Sequence, residues 1–218
     1  MNEDEGNCYS QFKLADLLRG MDDCQYIESV VVYHAAPTLQ GIKPATMVNV
    51  RGEKRALAEI WPCCKERLIS QLGIQVQELR QKNGGLLLLI YRPELLSSSL
   101  EKKGAQQLLA KRGYPINSTI EEQLDHLTKR FEDEAVPHEI GIFLGYPLQD
   151  VHGFIRYNGA GCKEVGHWKV YGNVNRARQE FRKYREATGC AATLLSQGAD
   201  LLEIRRNFHP LHSSGALA

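Results

Sequence analysis

The sequence predicts an α/β fold, a single mixed sheet of about four to six strands flanked by helices. Three observations lead there. Two compact apolar runs, residues 30–32 and 86–91, have strand composition. Cys64, Leu68 and Leu72 recur every four residues, as one face of a helix requires. Strand-like and helix-like stretches alternate through the second half of the chain, the pattern of a sheet covered by helices. A compact chain of 218 residues buries roughly 70% of its unfolded surface, enough for a core without staples. We assign residues 1–195 to one α/β domain and 196–218 to a polar C-terminal extension, partly mobile at its end.

Taken in order, Phe12, Leu14, Leu17 and Leu18 place a helix over residues 11–21, and Val30, Val31 and Val32 place a buried strand over 28–33. Two prolines and a glycine between His34 and Val50 exclude a long helix and favour a structured loop into a strand over 46–50. Pro62 suits the first turn of a helix that runs to Leu72, before Gly73. Residues 74–91, with Asn83, Gly84 and Gly85 at the centre, read as a β-hairpin, the competing reading being a helix continued through Leu79. Pro93 and the serines at 97–99 break the pattern, and a helix over 101–112 ends at Gly113. Gly-Tyr-Pro occurs at 113–115 and again at 145–147, each time at a helix entry; Ser118 with Glu121 forms a capping box for a helix over 120–134. The remainder reads as a strand over 140–144, a short helix over 148–155, a glycine-rich loop over 158–166, a strand over 167–171 and a helix over 174–187.

Charge and apolar patterning remove several function classes. Lys plus Arg total 27 against 26 Asp plus Glu, so no single-sign field draws nucleic acid or anionic membrane. Arg176, Arg178, Arg182, Lys183 and Arg185 make the last long helix basic, but Glu180 and Glu186 dilute it into a solvated face, and we expect no nucleic-acid partner. The longest apolar run is far shorter than the ~20 residues of a spanning helix, and the start MNEDEGNCYS lacks the regions of a signal peptide. A soluble cytoplasmic protein with no membrane partner is expected. Its six cysteines have no repeated CxxC spacing and are expected to be thiols, with adjacent Cys63 and Cys64 serving as small hydrophobes.

No stretch matches a reaction-specific motif. His138 and Glu139 form HE without a second histidine four positions on, so the zinc-protease motif is missing. The loop NGAGCKEVG fits neither GxGxxG nor a Walker sequence. Cys162 within it lies beside Lys163, which favours a thiolate, although a plain loop thiol is the simpler reading. His209 and His212 have metal-chelating spacing, but Pro210 argues against a formed site. The strongest constellation lies at strand ends, where α/β sheets place ligands. There His34 and Lys43 suit anion binding or proton movement, Tyr91 and Arg92 can join them, and His138 and Trp168 come from the second half.

The segments PHEIGIFLGYPLQDVHGFI and GHWKVYGN, with HAAPTLQGIKPATM and LLLLIYRPELL upstream, resemble an uncharacterised family found mainly in anaerobic Firmicutes such as clostridia, over residues 30–184. The resemblance brings no assigned reaction. It implies only an association with iron-uptake and flavodoxin genes. The leading expectation is a cytoplasmic ligand-binding protein of iron or redox physiology, taking a small anionic or flat ligand at His34, Lys43, Tyr91, Arg92, His138 and Trp168, with a redox protein as a further partner. The alternatives are an enzyme using His34 or His138 as acid or base and Cys162 as nucleophile, and an interaction module without small-molecule chemistry. No cofactor and no metal-ligand set are assigned.

Overall fold

The computed structural model describes residues 14–52, 55, 57–115 and 118–208. In chain order α1 (Leu14–Leu17) leads into α2 (Asp23–Leu39), β1 (Ala45–Val50) and α3 (Leu57–Leu72). A hairpin of β2 (Gln75–Lys82) and β3 (Gly85–Tyr91) precedes α4 (Pro93–Leu100), α5 (Lys103–Lys111) and α6 (Ile120–Asp133). The single turn α7 (Ile140–Phe143), α8 (Leu148–Tyr157), the short pair β4 (Glu164–Val165) and β5 (Lys169–Val170), and helices α9 (Val174–Ser196) and α10 (Leu201–Phe208) follow.

The fold mixes helices and sheet as expected, but the single sheet of four to six strands is corrected. An antiparallel sheet of order β1-β3-β2 stands apart from the two-stranded β4-β5 ribbon. The sheet is smaller because two expected strands are helical. Residues 28–33 lie inside α2, which opens on a capping box: Asp22 accepts from the Gln25 amide at 2.8 Å and Gln25 accepts from the Asp22 amide at 3.2 Å. Val30, Val31 and Val32 point to different sides of α2, yet all are buried, because the sheet, α3 and α9 surround the helix. Burial on every side overrides their weak helix propensity. Residues 140–144 likewise form a buried helical turn that ends in Gly145, whose φ of 75° and close approach to Pro44 leave no room for a Cβ.

The predicted hairpin is present, and β3 is its inner strand. Its unbroken apolar run serves two cores: Leu86, Leu88 and Ile90 face α2, α3, α9 and α10, whereas Leu87, Leu89 and Tyr91 face the layer of α4 to α8. A register shift between Glu78 and Arg80 in β2 leaves both Leu79 and Arg80 toward α6, Leu79 in the core and Arg80 over the Phe131 ring. Smaller corrections follow local chemistry. Pro62 lies inside α3 rather than in its first turn. Pro93 starts α4 where a break was expected. The cap of α6 is Thr119 with Glu122, one residue beyond the expected Ser118 and Glu121.

Residue 195 falls in the last turn of α9, and beyond it Leu201, Ile204 and Phe208 of α10 join the first core. His209 and His212, like residues 1–13, lie outside the described residues. The expectation of thiols is corrected for Cys24 and Cys64, which form a disulfide where α2 and α3 meet with Cα atoms 5.9 Å apart. Cys63, Cys162 and Cys190 remain free. The basic face of α9 is largely paired, Arg178 with Glu164, Arg182 with Glu186 and Lys183 with Glu180.

Candidate functional site

The chain leaving α2 folds back on itself. The Gly41 amide donates to the Thr38 carbonyl at 3.0 Å, and the Ile42 amide to that of Pro37 at 2.9 Å. This turn, with Gly41 at φ 71°, delivers Lys43 to the entrance of β1, and a Thr38–Thr46 hydroxyl contact of 2.8 Å ties the helix end to the strand. Lys43 is only 7% exposed. Its ammonium lies over two aromatic faces, 5.1 Å from the centre of the Tyr146 ring and 5.3 Å from that of Tyr184. Among the described residues it makes no hydrogen bond and no ion pair. Burial without a counter-charge pushes its pKa down to about 7.

Lys43 forms the floor of a cleft of about 340 Å³. Exposed His34 and His167 stand at its mouth, Tyr33 and Thr188 lie along its sides, and among the described residues no carboxylate lines it. Partial burial of the ring lowers the pKa of His34. His167 is lowered by burial first and then by the charges of Lys43 and Arg185. Burial pushes the Tyr146 phenol up to about 12 and raises Tyr184 as well, the latter helped by Glu180 and Tyr146. Near neutral pH the cleft therefore holds neutral phenols, imidazoles biased toward neutrality and one amine that is readily deprotonated.

The far wall is braced by Asp150, which is 3% exposed. It accepts from Trp168 Nε1 at 2.7 Å, the Tyr171 amide at 2.8 Å and the Gly172 amide at 2.7 Å, pinning the β4-β5 ribbon to α8. Trp168, held this way, stacks on Tyr146 with ring centres 4.9 Å apart. The Tyr146 hydroxyl donates to the His167 carbonyl at 3.3 Å. Tyr146 is thus a wall shared by the Lys43 cleft and a neighbouring apolar groove that contains His138 and Trp168.

Of the six candidate residues, the structure brings His34 and Lys43 into one cleft and sets Trp168 behind its Tyr146 wall. His138 lies in the adjoining groove, edge-on to Phe154 at 4.9 Å. Tyr91 packs in the second core and Arg92 pairs with Glu94 at 2.8 Å; neither lines the cleft. Cys162 is half-buried, and Lys163 beside it donates to the Gly172 carbonyl at 2.9 Å. Sequence reading missed Tyr146, His167 and Tyr184. The apolar stripe Ala177, Phe181, Tyr184 and Ala187 along α9 carried a signal for Tyr184, since its spacing turns that residue inward.

Among the described residues no group of three or more His, Cys, Asp or Glu side chains is placed to hold a metal ion, and no helix is long and apolar enough to cross a membrane. No curated protein and no solved structure matches the chain. A family model does match residues 31–205, from within α2 to within α10, and the chain therefore belongs to the family described as Protein of unknown function (DUF3793).

Proposed function

We propose that the protein binds a small, flat, anionic ligand in the Lys43 cleft. One observation carries this reading: a buried ammonium held between aromatic faces, with no carboxylate among the described residues that line the cleft around it. An isolated buried charge is costly. An incoming carboxylate or phosphate supplies the counter-charge that the fold omits, while Tyr146 and Tyr184 offer faces for a planar group. His34, His167 and Arg185 make the surroundings of the mouth receptive to negative charge.

The cytoplasmic, iron or redox setting belongs to this proposal as its outer frame; its support is the family resemblance, and the cleft adds no metal-donor set to it. An absorption spectrum and elemental analysis of anaerobically purified protein test that frame. Bound flavin, haem or iron upholds it, and a colourless, metal-free protein removes it. For the cleft itself, ligand-observed NMR with salicylate and inorganic phosphate is the direct test. Saturable binding is expected in the wild type and is lost in Lys43→Met. Because the anion favours protonated Lys43, affinity falls by up to about tenfold per pH unit as pH rises above about 7. Equal binding by wild type and Lys43→Met, or none by either, rejects the reading.

A further inference from the structure

We propose that Lys43 is a carbonyl-capturing amine, condensing through Nζ with the aldehyde or keto carbon of a small 2-oxo acid to form an imine. This rests on the anion-binding reading above and names its ligand class.

Three features of the cleft carry the inference. First, no carboxylate lines the cleft among the described residues, so none of them holds Lys43 permanently as an ammonium and its lone pair can be released. Second, the partners facing Nζ are the Tyr146 and Tyr184 rings, which attract a cation through their faces without accepting a proton from it. Those faces serve the iminium product as they serve the ammonium. Third, the reacting nitrogen lies at the floor of a 340 Å³ cleft whose mouth holds the two imidazoles, His34 and His167, within a space suited to a compact acid. The lowered pKa values of Lys43, His34 and His167 agree with this arrangement.

The step balances without an oxidant or reductant. The Nζ lone pair attacks the carbonyl carbon, a C–N bond forms, the carbonyl π electrons move to oxygen, and a proton lost from nitrogen passes to that oxygen to give a carbinolamine. Loss of the hydroxyl as water, with a proton taken up from a rim imidazole or from solvent, leaves the protonated imine, a C=N–H bond on Lys43, which returns that proton on becoming the neutral imine. Tyr146 from the α7–α8 turn and Tyr184 from α9 face this nitrogen, and the other titratable groups lining the cleft are Tyr33 and His34 from α2 and His167 from the β4–β5 turn. Arg185 acts on His167 and Glu180 on Tyr184 from farther out.

The test treats the full chain with glyoxylate and cyanoborohydride at pH 7, followed by peptide mass spectrometry. Carboxymethylation of Lys43 at least about tenfold faster than that of exposed Lys102, Lys111 and Lys183 is expected. Its rate should level off above pH 7, the mark of an amine already largely deprotonated. Lys43 modified no faster than those surface lysines overturns the proposal. Oxamate, whose amide carbonyl does not condense, reads binding separately by ligand-observed NMR. Oxamate binding without a Lys43 adduct removes the imine and keeps the binding reading; selective adduct formation without oxamate binding keeps the imine and removes the anion. Lys43→Arg, which retains the charge, is expected to bind oxamate and yield no adduct at position 43.

Discussion

Two buried charges in this molecule are treated in opposite ways. Glu139, fully buried beneath α6, accepts from Arg130 at 3.0 Å and from the Tyr114 hydroxyl at 3.3 Å. Lys43, 7% exposed at the entrance of β1, has aromatic rings and a cleft instead of a partner. The paired charge fixes how α6 meets α7, its counter-charge supplied from within the fold. The unpaired one leaves a buried charge uncompensated within reach of solvent, the condition on which the proposed binding role rests.

The largest test of this contrast is Arg130→Met, which strands Glu139 as a buried, uncompensated carboxylate. Denaturant unfolding should show a loss of about 3–5 kcal/mol, and a loss below about 1 kcal/mol would mean that the two charges differ less than their geometry says. Next comes the Cys24–Cys64 bridge, which clamps the start of α2, the helix whose far end presents Lys43. Cys24→Ser should lower stability by about 2–4 kcal/mol, a cost that the reduced wild type shares and that reductant does not increase in the variant.

Lys43→Met should move the other way. Thermal unfolding at pH 7 is expected to show a gain of about 1–3 kcal/mol, since an apolar isostere removes an unpaired charge. The sign of its pH dependence follows from linkage. Lys43 titrates near 7 in the folded chain and near its ordinary value of 10.5 when unfolded, so between these values the unfolded state binds more protons and the wild type gains stability with rising pH, by up to about 1.4 kcal/mol per unit. The advantage of Lys43→Met should therefore narrow from pH 7 to pH 10; a constant gap breaks the argument. The smallest effect belongs to Tyr146→Phe, which removes the bond to the His167 carbonyl and keeps the ring face. A cost of about 0.5–1.5 kcal/mol with ligand binding retained is expected by denaturation and NMR.

The hairpin, the strand over residues 46–50 and helices α6, α8 and α9 were legible because local turn chemistry and periodicity agree there with tertiary structure. Val30–Val32 misled for a physical reason: a strand buried on both faces and a helix buried all round have the same composition. Ile140–Leu144 misled in the same way, being short, apolar and enclosed. At the site, His34 and Lys43 were readable as polar residues beside a Pro- and Gly-bearing turn. Tyr146 was hidden in a Gly-Tyr-Pro string that explains itself as a helix entry, and Asp150, early in the helix that follows, gives no local sign that it holds three donors more than fifteen residues downstream. Neither role is visible until two distant segments are in contact.

The irregularity in β2 has a consequence for how copies of the chain meet in solution. With order β1-β3-β2, β2 presents a strand edge, the kind of surface that recruits another strand and seeds fibrils. The slip between Glu78 and Arg80 interrupts its ladder midway, and Glu78, Arg80 and Lys82 place charges along it. A strand docking from a neighbouring molecule would lose register at Leu79 and bring its groups against those charges. The one-residue insertion that turns both Leu79 and Arg80 toward α6 thereby also guards the chain against edge-to-edge aggregation.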